Sequence, residues 1–76
     1  MSFFYFMNNS ILEKFGQQLK KLRTEKNLTQ EQFAKKCGLH KNYIGMVERG
    51  ERNPSLINIE IIANGLEISI SKLMKF

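Results

Sequence analysis

Seventy-six residues carrying 12 Lys or Arg against 7 Asp or Glu, a net charge of +5, make one small basic domain near the lower size at which an apolar core suffices without cross-links. A single cysteine, Cys37, excludes an intrachain disulfide, and with one histidine, His40, it leaves too few ligands for a structural zinc site. Aspartate is absent altogether, so the usual catalytic constellations lack parts, and neither an enzyme nor a protein with a metal or other cofactor is expected.

The longest apolar run, Phe3 to Met7, is far too short to span a membrane and has no basic residue before it, which reads as a cytoplasmic protein without a membrane partner. Residues 1–9 form an apolar N-terminal arm with three readings. It covers apolar surface of the domain, it packs across a dimer, or it precedes a natural start at Met7. Beyond it, Ile11, Phe15, Leu19 and Leu22 recur at helical spacing, which predicts a helix entered at Ser10 and ending near Lys26, with Asn27 left-handed just past the end. Thr29-Gln30-Glu31-Gln32 is a capping box flanked by Leu28 and Phe33 as a hydrophobic staple, so a short second helix runs from Gln30 to Cys37 and stops at Gly38. A third helix, Lys41 to Arg49, turns Ile44 and Val47 inward and ends at Gly50. Pro54 and Ser55 introduce a fourth helix with an inner stripe of Ile59, Ile62, Ala63 and Leu66 and an end marked by Gly65; Ser69 caps a last turn over Ile70 to Met74. No strand-like alternation appears, so one all-α domain of five helices over residues 10–76 is expected.

Charge divides along the chain. Residues 14–52 hold ten basic side chains against Glu25, Glu31, Glu48 and Glu51, a surplus of +6, whereas in residues 53–76 Lys72 and Lys75 balance Glu60 and Glu67. A basic face suits a polyanion and a neutral face suits another copy of the chain. The fourth helix also carries Ile57 and Ile61 outside its inner stripe, and Leu73, Met74 and Phe76 follow. This is more apolar surface than a small monomer hides, so residues 55–76 are read as a two-fold dimer interface. Two short helices joined by a tight glycine turn, about residues 30–49, form a helix-turn-helix unit whose second helix can enter a major groove.

The residues Leu28-Thr29-Gln30-Glu31, Phe33-Ala34, Gly38-Leu39, Tyr43-Ile44, Val47-Glu48-Arg49-Gly50 and Arg52-Asn53-Pro54-Ser55 stand in a register that strongly resembles the Cro and phage-repressor family of helix-turn-helix proteins, over residues 11–74. The resemblance implies a compact five-helix lambda-repressor-like domain that binds double-stranded DNA as a homodimer on an inverted-repeat operator, its two recognition helices about 34 Å apart. It places base contacts at Lys41, Asn42, Gly45 and Met46. Lysine suits guanine O6 and N7, asparagine suits adenine, and methionine suits a thymine methyl. Gly45 offers no side chain where relatives have one, so that base step is either unread or approached by backbone. Backbone contacts fall to Gln30, His40, Tyr43, Arg49, Arg52 and Asn53. Arg23 and Glu48 take the places of a buried structural ion pair joining the first helix to the third.

Tyr-Ile in the recognition helix and the Arg-Asn-Pro-Ser link make restriction-modification controller proteins the nearest likeness. That likeness implies two dimers on tandem operators, activation and then repression of the protein's own promoter, and control of the endonuclease gene. Because the chain ends directly after the fifth helix, no sensing domain is expected, and Glu25, Glu31 and Lys35 would face a polymerase sigma factor. A phage-type repressor and an antitoxin that represses its own operon are the alternatives of the same class. A protein-interaction module with a merely solvated basic face, or an RNA binder, stands outside it.

Overall fold

A computed structural model describes residues 3–76, with side chains described from Ile11 onward. Five helices follow one another, α1 (Phe3–Glu25), α2 (Gln30–Cys37), α3 (Lys41–Glu48), α4 (Leu56–Gly65) and α5 (Ile70–Leu73), and no strand occurs among the described residues. The start of α1 differs from expectation. The helix begins at Phe3, which makes Ser10 an interior residue instead of a cap. Nothing between Phe3 and Phe15 interrupts a helix, since neither glycine nor proline occurs there. The backbone of residues 3–9 thus forms the opening turns of α1. What the side chains of the N-terminal arm cover lies outside the described residues, as do Met1 and Ser2.

The short helices are set by local capping. Thr29 Oγ1 accepts from the Gln32 amide at 3.0 Å while Gln32 Oε1 accepts from the Thr29 amide at 2.9 Å, the reciprocal pair expected of the capping box. Ser55 and Ser69 likewise accept from Asn58 N and Lys72 N, starting α4 and α5. At the other ends α1 to α4 share one device. A left-handed residue, in turn Asn27, Gly38, Gly50 and Glu67, is followed by an amide that reaches back five positions, as in Leu39 N to Ala34 O at 2.9 Å and Ile68 N to Ala63 O at 3.1 Å. The fourth helix ends at Gly65 as expected, and the left-handed turn follows two residues later at Glu67. Gly65 is required for another reason, because a Cβ there would lie 2.5 Å from Cys37 Sγ and 3.1 Å from the Phe33 ring. It lets α2 and α4 approach.

The core is Phe15, Leu19, Phe33, Ala34, Ile44, Val47, Ile62, Ala63, Leu66 and Leu73. It lies where α1 packs on α3, α2 packs on α3 and α4, and α4 packs on α5. Ile11, expected on the buried stripe of α1, is exposed at its outer end. Gly16 permits the closest crossing, since a side chain there would run into the Val47 and Glu48 carbonyls of α3. Gln18 ties the C-terminal turn to α1 by donating to the carbonyls of Lys72 (3.4 Å) and Lys75 (3.2 Å).

Cys37 packs against this core, where burial pushes its thiol up to about 11 despite the nearby Lys36 charge. The thiol therefore stays protonated at neutral pH, and alkylation by iodoacetamide at pH 8 should run on the order of a hundredfold slower in the folded protein than in urea. Equal rates in the two solvents would contradict a packed, protonated thiol.

Candidate nucleic-acid interface

The recognition helix α3 is short, and its placement depends on groups outside it. Glu48, at its C-terminal end, accepts from Arg23 Nε at 2.6 Å and Nη2 at 3.0 Å, a two-point ion pair that is almost fully buried. Arg23 Nη1 donates to the Leu28 carbonyl at 2.6 Å, so a single guanidinium joins α1, the α1–α2 turn and α3. The Glu48 carboxylate also accepts from Gln30 Nε2 at 2.9 Å. The first residue of α2 and the last of α3 are thereby fixed to each other, and the angle between the two helices is held by charge-assisted hydrogen bonds. The structural role expected of Arg23 and Glu48 is the one they occupy. Every buried side-chain polar atom among the described residues has a partner.

At its N-terminus α3 is capped by His40, whose Nδ1 accepts from the Asn42 amide at 3.1 Å. With Nδ1 accepting, the other ring nitrogen, Nε2, is the one left to act as an N–H donor. Lys41 and Asn42 are exposed and Met46 is half-buried. These three line one open concavity with Gln30, Gly45 and Arg49. The structure thus brings together all four residues expected to read bases. It adds Gln30, whose second amide hydrogen remains free after the bond to Glu48.

Arg49 stands apart from its expected place. It does not continue along the link with Arg52 and Asn53 but folds back over α3, with Nη1 3.2 Å from the point a Cβ on Gly45 would occupy. Its Nε and Nη2 donate to the two oxygens of Glu51 at 3.0 and 3.2 Å. The same hydrogen bonds hold the Glu51 carboxyl below the usual carboxylate range and raise the Arg49 guanidinium. Tyr43, half-buried, accepts on its hydroxyl from Asn58 Nδ2 of α4 at 3.0 Å, and Arg52 lies over its ring with 5.5 Å to the centroid. The tyrosine thus braces α3 against α4 and positions Arg52 on the link. Asn53 is exposed beside them. Sequence reasoning missed both Glu51 and Asn58. An acid two residues beyond an arginine in a tight turn was the available sign of the first, and no local pattern marked the second.

On the charge-neutral half, Ile57, Met74 and Phe76 are exposed as expected, and Ile61 is half-buried. Leu73 is not a surface residue. Its side chain is 0% exposed, because α5 folds back on α4 and turns it into the core. In addition to Ile57, 70% exposed, the outward apolar set includes Leu56, 75% exposed, and Ile70, 37% exposed.

A helix-turn-helix whose second helix is clamped by a buried ion pair, and which presents a concavity of amide, lysine and arginine donors, defines a DNA-binding regulator of transcription. The chain belongs to the helix-turn-helix family, whose model matches residues 19–73. It is 48% identical over 66 residues to the control protein C.MunI of a Mycoplasma species, covering 86% of this chain and 89% of that one. The crystal structure of the restriction-modification controller protein C.AhdI from Aeromonas hydrophila superposes with a TM-score of 0.80 at 52% identity, over 82% of this chain and 94% of that one. The biofilm master regulator SinR, solved in complex with DNA, is similar over 80% of this chain and 98% of its own, with a TM-score of 0.75 and 32% identity. No helix among the described residues is long and apolar enough to cross a membrane, and no cluster of three potential metal ligands occurs among them.

Proposed function

We propose that this protein is a cytoplasmic restriction-modification controller, a non-enzymatic homodimer that binds an inverted-repeat operator and regulates its own gene and that of the endonuclease. The observation that carries the reading is the likeness to control proteins along most of both chains, 86% and 89% in the case of C.MunI. A match of that length takes in the helix-turn-helix and α4. In this reading the α3 concavity faces the major groove, with Lys41, Asn42 and Met46 on base edges. His40, Arg52 and Asn53 hold phosphates on either side. Gln30, fixed by Glu48, offers its remaining N–H to the backbone. Outward apolar residues of α4 and α5 join two copies so that their α3 helices fall on successive turns of the duplex. Two such dimers on tandem operators would give a concentration-dependent switch from activation to repression, and Glu25, Glu31 and Lys35 would meet the polymerase sigma factor during activation.

The test is selection of bound duplexes from a random pool at about 150 mM salt, a concentration at which nonspecific phosphate binding is weak. The expected outcome is enrichment of an inverted repeat bound by two chains or by two pairs of chains. Binding seen only at low salt, without a motif, would overturn the reading. On the selected operator Lys41→Ala should cost about 1–3 kcal/mol and relax preference at one base position, while Arg52→Ala should weaken all sequences alike and lower the salt slope by about one. A uniform loss from Lys41→Ala would remove its base-reading role.

A further inference from the structure

We infer that Arg49 reads a guanine edge in the space that Gly45 leaves open, and that Glu51 is the positioning residue that aims it. The inference rests on the operator-binding reading above and assigns one more specificity determinant to it. A guanidinium has two edges able to form paired hydrogen bonds. In Arg49 the Nε and Nη2 edge is occupied by the Glu51 carboxylate at 3.0 and 3.2 Å. The edge formed by Nη1 and the outer hydrogen of Nη2 remains, and its two parallel donors match guanine O6 and N7. That edge lies on the reading face, because Nη1 is the atom 3.2 Å from the missing Gly45 Cβ and Arg49 shares its concavity with Lys41, Asn42 and Met46.

Gly45 supports the same assignment. It sits inside α3, where no left-handed conformation calls for it, and after proline glycine is the poorest helix former. What its absent side chain provides is room. A Cβ there would crowd Arg49 Nη1 at 3.2 Å and Gln30 Oε1 at 3.3 Å. Arg49 thus supplies from the end of the helix the donor that position 45 cannot.

Glu51 separates base reading from a phosphate contact. The pair is open to solvent, with the two side chains 57% and 53% exposed, so it adds little to the stability of the fold. A carboxylate beside a DNA backbone repels phosphates, which makes it a poor companion for an arginine that only anchors one. The same carboxylate is useful when it fixes a guanidinium in one plane before the base is met.

The experiment measures the affinity of the full chain for its selected operator and for every single-base variant of one half-site. It uses the wild type, Arg49→Lys and Glu51→Gln, with circular dichroism confirming that these surface variants fold. Arg49→Lys keeps the charge and removes the fork. Discrimination at one guanine per half-site should fall roughly tenfold or more, with the other positions and the salt slope unchanged. Glu51→Gln removes a negative charge facing DNA and should tighten binding to random duplex, yet flatten preference at the same guanine. A merely structural or repulsive role would not move that one position. If Arg49→Lys weakens every sequence alike, or if both variants keep the wild-type preferences, Arg49 is a backbone anchor and the inference is overturned while the operator reading stands. A wild type that selects no motif overturns both.

Discussion

Glu48→Ala should cost about 3–5 kcal/mol, a large share of the stability of this domain, and disturb the geometry of the recognition helix. The carboxylate accepts two hydrogen bonds from Arg23 and one from Gln30. Without it the Arg23 guanidinium, whose side chain is only 8% exposed, stays in the interior with the Leu28 carbonyl as its one remaining acceptor. The cost comes mainly from that stranded charge, which explains why it exceeds the net worth of the intact pair. A domain of this size has on the order of 4–11 kcal/mol in total, so the variant should be partly unfolded at 37 °C. Urea denaturation followed by circular dichroism measures the change. Replacing both partners by apolar residues of similar volume, Arg23→Met with Glu48→Leu, should recover much of the loss, because no charge is then buried alone. The double variant should nonetheless bind its operator less selectively, since Gln30 has lost the acceptor that fixes it. If Glu48→Ala unfolds at the wild-type urea concentration, the pair is not the clamp described above.

This coupling of stability and site shows which features were legible in the residues and which were not. The helix-turn-helix was legible because its signals are local. Thr29 and Gln32 cap each other within one turn, Asn27, Gly38 and Gly50 adopt the left-handed conformation open to asparagine and glycine, and Ser55 and Ser69 start helices by the same chemistry. The Arg23 and Glu48 pair, 25 residues apart, was legible only through the family resemblance. What was not legible depends on where separate elements meet. Gly65 does end its helix, but its second service, the approach of α2 and α4, was hidden, as was the left-handed turn at Glu67, whose carboxylate reaches Lys36 at 3.2 Å. Leu73 looked like surface because nothing in its neighbourhood records that α5 folds back. At the site, Lys41 and Asn42 were singled out only through the family resemblance, and the structure exposes both in the first turn of α3. The return of Arg49 over Gly45 required Glu51 to be seen holding it, and the bracing of Tyr43 required α4 to be in place.

The proposed dimer carries the second large effect. Ile57→Asp should leave the monomer fold intact, since Ile57 is 70% exposed and lies outside the core. It should also abolish self-association at micromolar concentration, because a carboxylate would have to be desolvated in an apolar two-fold contact. Ile57 and Ile61 lie one helical turn apart on α4, Leu56 opens the same helix, and Ile70, Met74 and Phe76 add outward apolar surface on α5 and the C-terminus. With net charge zero in residues 53–76, the proposed contact would avoid the repulsion that the basic halves of two copies would impose. A dimer binds its second half-site as an intramolecular event, so its loss should lower affinity for the full inverted repeat by about 10²- to 10⁴-fold. Binding of one chain to a single half-site should be unaffected, which separates a broken interface from a damaged reading surface. Sedimentation measured with and without the operator checks both parts. Should Ile57→Asp remain dimeric with full affinity, the contact between copies lies elsewhere, and the aromatic residues of the N-terminal arm, Phe3, Phe4, Tyr5 and Phe6, become the segment to replace next.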